Sequence, residues 1–196
     1  LNGLDRKLRA EGIRLRPTAL SRLERFAELL EEWNGIHNLT GARNRGEIEA
    51  NIVDSLIPVG FVEAPERLLD VGTGAGFPGL VLAAAWPQTE TVLCEPLNKR
   101  AAFLRLAALE LGLERLEVAK VRVEALRRPP FGLISSRAVT DTELLLRLTR
   151  HLAGERTRWL LYKGSRLEEE LKPLRGYRAE RIVERAPRRY LLLARE

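Results

Sequence analysis

A chain of 196 residues with 45% hydrophobic side chains can bury one core of moderate size, and its 31% charged residues point to a soluble protein. Its apolar runs, such as GLVLAAAW, fall far short of the ~20 residues of a membrane span. The start lacks a leader pattern, and the single cysteine, Cys94, excludes an internal disulfide framework and fits a reducing cytosol. The net charge of +6 is carried mostly by arginine, and residues 1–60 hold equal numbers of acidic and basic side chains, so the excess lies in 61–196. Arginine offers a planar fork suited to phosphate and guanine edges. Heat adaptation or a G+C-rich gene yields the same bias.

The first periodic segment is 17–33, where Leu20, Leu23, Phe26, Ala27, Leu30 and Trp33 recur at helical spacing behind a Pro17–Thr18 start. After the turn NGIHNLTG, the run EIEANIVDSLIPV reads as a second helix. Together they predict a helical N-terminal cap over 1–60, which needs a surface to pack against. From residue 67 short β-like runs alternate with helices. RLLDVG precedes a helix from about Pro78, and TVLCE precedes one over 99–112. LEVAKVRV, GLISS, a helix over 141–152 and RWLLYKG follow. This alternation predicts an α/β domain over 61–196, a doubly wound and mostly parallel sheet with helices on both faces. The last runs, AERIVERA and RRYLLLARE, predict an antiparallel hairpin closing one edge, for seven strands in all.

In such a sheet ligands bind beyond the carboxyl ends of the strands. The turn after the first strand is DVGTGAGFPG. Gly74, Gly76 and Gly79 fit the dinucleotide pattern G-x-G-x-x-G, but the better register is Asp70-x-Gly72-x-Gly74-x-Gly76. A carboxylate at Asp70 repels a pyrophosphate and suits an ammonium group. The glycines let a ligand approach the backbone. Glu95, closing the second strand, is placed to accept hydrogen bonds from ribose hydroxyls. An amino acid at one end and a ribose at the other describe S-adenosylmethionine, a methyl donor.

The acceptor is narrowed by elimination. Enzymes that methylate exocyclic amino groups carry an (Asn/Asp/Ser)-Pro-Pro-aromatic turn after the fourth strand. Here RPPF precedes that strand, which ends in SSRAV. Methylation of cytosine C5 needs a cysteine nucleophile, and Cys94 lies inside an apolar strand run, where a thiol is inert. The N7 of guanine has an in-plane lone pair and loses no proton, so alignment and water exclusion suffice. A chain with two isolated histidines and no evident general base is consistent with that acceptor.

The ordered series DVGTGAGFPGLVLA, EPLNKRAAFLRLAALELGL, VRVEAL, ISSRAV and YKG resembles the bacterial small-subunit ribosomal RNA guanine-N7 methyltransferases, also called glucose-inhibited division protein B. WNGIHNLTG and NIVDSL are similar to that family's W-N-x-x-x-N-L-T and H-x-x-D-S-L, so the resemblance covers nearly the whole chain. It implies a class I methyltransferase sheet, S-adenosylmethionine as donor, and a guanine in the decoding-region loop of 16S rRNA as acceptor. It also implies that Gly72 and Phe77 line the cofactor, beside Asp70, Gly74 and Gly76, with Glu95 on the ribose. Val123 and Glu124, ending the third strand, flank the adenine. Arg137 faces both cofactor and substrate, and Lys163 meets RNA phosphate or guanine; these two are the expected catalytic residues. Asn51 departs from the family's usual histidine, and the Pro-x-Gly-Gly turn expected before the fifth strand is absent.

His37 and His151 have no partners at metal spacing, so no metal is expected. Lys120, Arg122, Arg127, Arg128 and Arg137 are expected to form a positive rim beside the cofactor, while the arginines of 175–189 read as a solvated hairpin face. A cytoplasmic monomer that engages small-subunit rRNA and no membrane is the expectation. A small-molecule methyltransferase with an enclosed pocket is the alternative, and a non-catalytic RNA-binding protein ranks third.

Overall fold

The computed structural model describes residues 3–172 and 174–196. Its strands are β1 (Arg67–Val71), β2 (Glu90–Cys94), β3 (Leu116–Ala119), β4 (Phe131–Arg137), β5 (Ala153–Lys163), β6 (Tyr177–Arg185) and β7 (Arg188–Arg195). They form one sheet in the order β3-β2-β1-β4-β5-β7-β6. The first five run parallel, and β7 lies antiparallel to both β5 and β6. Strand order reverses between β1 and β4, which opens a crevice above their carboxyl ends.

The central strands are apolar because both of their faces are covered. Everything in β1 after Arg67 is buried, including Asp70. The helices are α1 (Gly3–Ala10), α2 (Pro17–His37), α3 (Arg45–Leu56), α4 (Gly79–Ala85), α5 (Asn98–Glu110), α6 (Thr142–Thr149) and α7 (Leu167–Leu171). One apolar layer joins Leu23, Phe26 and Leu30 of α2 and Ile52 of α3 to Leu80 of α4, Phe103 of α5 and the sheet. The other layer packs Leu145 and Leu146 of α6 against Trp159, Leu161 and Leu191. The helices before β1 thus find their partner surface on α4 and α5.

Local chemistry sets the boundaries that matter for the site. Asn44 caps α3 by accepting from the Glu47 N–H at 3.0 Å, and Asp141 caps α6 by accepting from Leu144 N–H at 2.9 Å; such caps contribute about 1 kcal/mol each. Pro17 occupies the first turn of α2, as expected, and Asn38 ends it in the left-handed region.

Three elements depart from the sequence reading. α1 is a short helix that buries Leu4 and Leu8, and its few residues show too little periodicity to identify it. α7 was likewise not expected. The third strand stops at Ala119, so Val123 and Glu124 lie in a 3-10 turn (Val123–Ala125) rather than at a strand end.

Candidate active site

The turn after β1 folds on itself because Asp70 holds it from below. Asp70 is fully buried; its Oδ2 accepts the Gly79 N–H at 2.8 Å and its Oδ1 accepts the Ser135 hydroxyl at 2.7 Å. A Cβ on Gly79 would fall 2.5 Å from the Asp70 Cβ and the Leu93 Cδ2, so the start of α4 rests directly on this carboxylate. Burial pushes the Asp70 carboxyl up to about 6, only partly offset by its hydrogen bonds. This corrects the expectation of a carboxylate facing a ligand's ammonium. The structure turns Asp70 inward, where it fixes the turn.

Above the turn lies a cleft of about 730 Å³. Its floor comes from Gly72, Thr73, Gly74, Ala75 and Phe77, and its sides from Glu95, Val123, Glu124 and Arg137. Gly72 adopts φ +65°, and a Cβ there would meet Val139 at 2.5 Å, so the loop after β4 closes directly over this glycine. Gly76, at φ +113°, packs beneath the floor against Phe26 and Leu80. Glu95 is buried; its two oxygens accept the N–H groups of Gly74 and Leu97, each at 2.9 Å. Each oxygen keeps a lone pair for a further donor. The Thr73 side chain, also in the lining, is buried with its hydroxyl beside the Asp70 carboxylate.

Cys94 is buried, donates to the Val121 carbonyl at 3.1 Å, and is pushed up to about 12 by burial and by the neighbouring Glu95. A thiol held there is no nucleophile at neutral pH.

Arg137 ends β4 at the wall between this cleft and a groove of about 610 Å³ under the β6–β7 turn. Its guanidinium lies 5.0 Å from the Phe77 ring centroid and donates to Asn51 Oδ1 at 3.0 Å and Asp54 Oδ2 at 3.1 Å. Asn51, standing where the resembled family has histidine, therefore still supplies an acceptor to the strand-end arginine. Asp54 also accepts the Tyr190 hydroxyl at 2.7 Å and pairs with Arg188 at 3.3 Å. Burial first, and the Asp54 bond second, raise the Tyr190 phenol above its usual range. Asp54 joins α3, β4 and β7 at one point, and the sequence reading missed it although it lies inside NIVDSL. Nothing in the spacing of that motif marks the aspartate as a partner of Arg137.

Lys163 ends β5 beside a second cavity of about 760 Å³, which shares Ala138, Val139 and Thr140 with the cleft. Its ammonium donates to Glu170 at 2.6 Å, and Glu170 also accepts the Thr142 hydroxyl at 2.5 Å. Burial alone would raise the Glu170 carboxyl; Lys163 and Thr142 together hold it below its ordinary value. Of the expected rim, Arg122 and Arg137 line the cleft. Lys120 donates to Asn98, whereas Arg128 pairs with Glu117 at the start of β3, toward the other end of the sheet. The hairpin arginines are more than a solvated face, since Arg188 binds Asp54 and Arg185 lines the groove. His37 stacks on Trp33, His151 meets the Leu126 carbonyl, and no cluster suited to a metal occurs among the described residues.

Comparison with known proteins agrees with this geometry. A family described as rRNA small subunit methyltransferase G matches residues 19–184. The chain is 44% identical to the ribosomal RNA small subunit methyltransferase G of Wolinella succinogenes and 41% identical to that of Aliarcobacter butzleri, each over 97% of both chains. In fold it is similar to the mitomycin 7-O-methyltransferase MmcR, with TM-score 0.62 and 16% identity over 92% of this chain and 69% of the other. A ribosomal protein L11 methylase from Lactobacillus delbrueckii gives TM-score 0.59 and 16% identity over 76% and 79%. Among the described residues no helix is long and apolar enough to cross a membrane.

Proposed function

Because the chain belongs to the rRNA small subunit methyltransferase G family, we propose that it moves a methyl group from S-adenosylmethionine to N7 of a guanine in the decoding-region loop of 16S rRNA. The observation that carries this reading is the position of Arg137, at the wall shared by the cleft and the groove beside it.

The cleft suits the donor. Open space above the backbone of Gly74 and a buried carboxylate with spare lone pairs at Glu95 face one cavity. Gly72, Thr73, Gly74 and Phe77 would hold the amino-acid end, Glu95 the ribose hydroxyls, and Val123 with Glu124 the adenine. When bound, S-adenosylmethionine supplies an electrophilic methyl group carried on a sulfonium. The remaining work belongs to the chain. Phe77 and Val139 exclude water from the meeting point, and Arg137 and Lys163 orient the acceptor nucleotide by its phosphate or O6.

Nitrogen N7 loses no proton, so no side chain need act as a base. The acceptor instead gains positive charge. The two cations expected to meet the acceptor each have a carboxylate beside them, Asp54 for Arg137 and Glu170 for Lys163, which lessens their opposition to that charge. The helices of 1–60 serve as the cap that carries Asn51 and Asp54 to the site. The reading includes a cytoplasmic monomer acting on small-subunit RNA. An enclosed acceptor pocket, which a small-molecule enzyme would need, is disfavoured because the cleft runs into its neighbours through Thr40, Gly41 and Ala138.

The test uses small-subunit particles lacking the modification, labelled donor and mass mapping of the RNA. One 7-methylguanine, lost with Arg137→Ala, is expected. Donor binding without RNA labelling would overturn the reading.

A further inference from the structure

A cavity of about 630 Å³ lies between the carboxyl half of α6 and the segment leading into β6, away from the cleft. Arg147, Arg150, Arg175 and Arg195 all line it. Arg147, Arg150 and Arg175 are exposed, and Arg195 is half-buried with its guanidinium 5.8 Å from the Trp159 ring centroid. Elsewhere Arg25, Arg45, Arg67 and Arg128 each reach a carboxylate. Among the described residues Arg147, Arg150, Arg175 and Arg195 make no ion pair, although Glu143 lines the same cavity and Glu196 lies near it through its bond to the Gly176 carbonyl.

Four guanidinium groups around one concavity repel one another within a screening length of about 8 Å. The arrangement is relieved by an anion with several oxygens, and each planar fork can take two of them. The antiparallel pairing of Arg158 with Ala194 puts Arg195 level with Thr157, near the middle of β5, while Lys163 marks its end. Six residues of strand separate these levels, about 20 Å at ~3.3 Å per residue. A single RNA strand of a few nucleotides covers that distance. One RNA can therefore span both.

We propose that this arginine-lined cavity is a second RNA-docking site, which grips the phosphodiester backbone of the substrate outside the reacting loop. The inference rests on the rRNA reading above. It assigns the four arginines to affinity and leaves the transfer step to the cleft.

The test compares the triple variant Arg147→Ala/Arg150→Ala/Arg175→Ala with Arg14→Ala/Arg16→Ala/Arg115→Ala, which removes equal charge from other exposed positions. Binding of small-subunit RNA is followed across a salt series, together with KM, kcat and donor affinity. For the cavity variant the log–log salt slope should fall by about two units, at ~0.7 per lost contact on single strands. KM for RNA should rise about tenfold at unchanged kcat and donor affinity, and the comparison variant should keep the original slope. An unchanged slope in the cavity variant, an equal loss in the comparison variant, or a fall in kcat at unchanged KM overturns the proposal. Single replacements, each losing part of the slope, decide the matter if the triple variant does not fold. Wild-type protein that labels no RNA would instead overturn the rRNA reading itself.

Discussion

Arg137 and Asp54 are 83 residues apart in sequence and 3.1 Å apart in space. Both side chains are largely buried, at 15% and 17% exposure, so the pair is little screened. Its carboxylate is shared with Tyr190 and Arg188, which places the guanidinium through three separate parts of the chain.

Asp54→Asn removes the counter-charge and leaves the shape. Hydrogen bonds to charged groups contribute about 1.5–3 kcal/mol, so kcat for RNA methylation should fall about 10–100-fold. Donor affinity should stay within about twofold, because Asp54 does not line the cleft. Single-turnover labelling and calorimetric titration of the donor check the two halves. An equal loss in both would make Asp54 a general structural support.

Glu95→Gln keeps one acceptor and turns the other oxygen into a donor aimed at a backbone N–H. Donor affinity should fall about 10–100-fold by the same measure, read by titration calorimetry. RNA affinity in the absence of donor should not change.

Gly79→Ala and Gly74→Ala separate crowding from backbone strain. The first drives a methyl group to 2.5 Å from Asp70 and Leu93, an overpacking that costs about 1–3 kcal/mol. The second meets nothing within 4 Å but holds φ at +62°, which costs about 1–2 kcal/mol. Thermal melts should show losses of about 2–4 °C per kcal/mol. Donor binding should suffer disproportionately for Gly74→Ala, whose N–H holds Glu95.

Asp70 makes stability depend on pH in a stated direction. Its folded value of about 6 lies above the unfolded value of about 3.9. The folded state therefore binds more protons between those limits, and stability falls as pH rises through them. The contribution is complete below about pH 4 and lost above about pH 6, a change of about 3 kcal/mol. Asp70→Asn does not titrate. Urea unfolding at pH 4 and pH 7.5 should show the variant gaining on the parent by up to that amount at the higher pH. A constant difference would mean that Asp70 ionises freely.

Much of this was legible in the sequence. Strand and helix alternation, the glycine turn and the C-terminal hairpin all leave local patterns, and the sheet has the expected strands and direction. The glycine turn with Gly72, and Glu95 at the next strand end, follow from topology, whereas Phe77 and Arg137 were expected from the family resemblance. What sequence did not reveal is which partner each charge takes. Asp70 looked like a ligand contact because the motif shows its spacing and hides the Ser135 hydroxyl that strand pairing sets beside it. Asp54 was read only as part of a motif, since its partners sit at separations of 83 and 136 residues. Arg128 was assigned to the cleft from its neighbours in sequence, but the loop carries it toward Glu117 and the far end of the sheet.

The three-way hold on Asp54 has a consequence for timing during synthesis. The turn, Glu95 and the strand-end arginine all precede residue 140, and the lining of the cleft is complete by Leu148. The Tyr190 hydroxyl and the Arg188 guanidinium are made later, and with them two of the contacts that hold Asp54 and so Arg137. A nascent chain should thus have every residue of the cleft lining before it has those that fix the strand-end arginine.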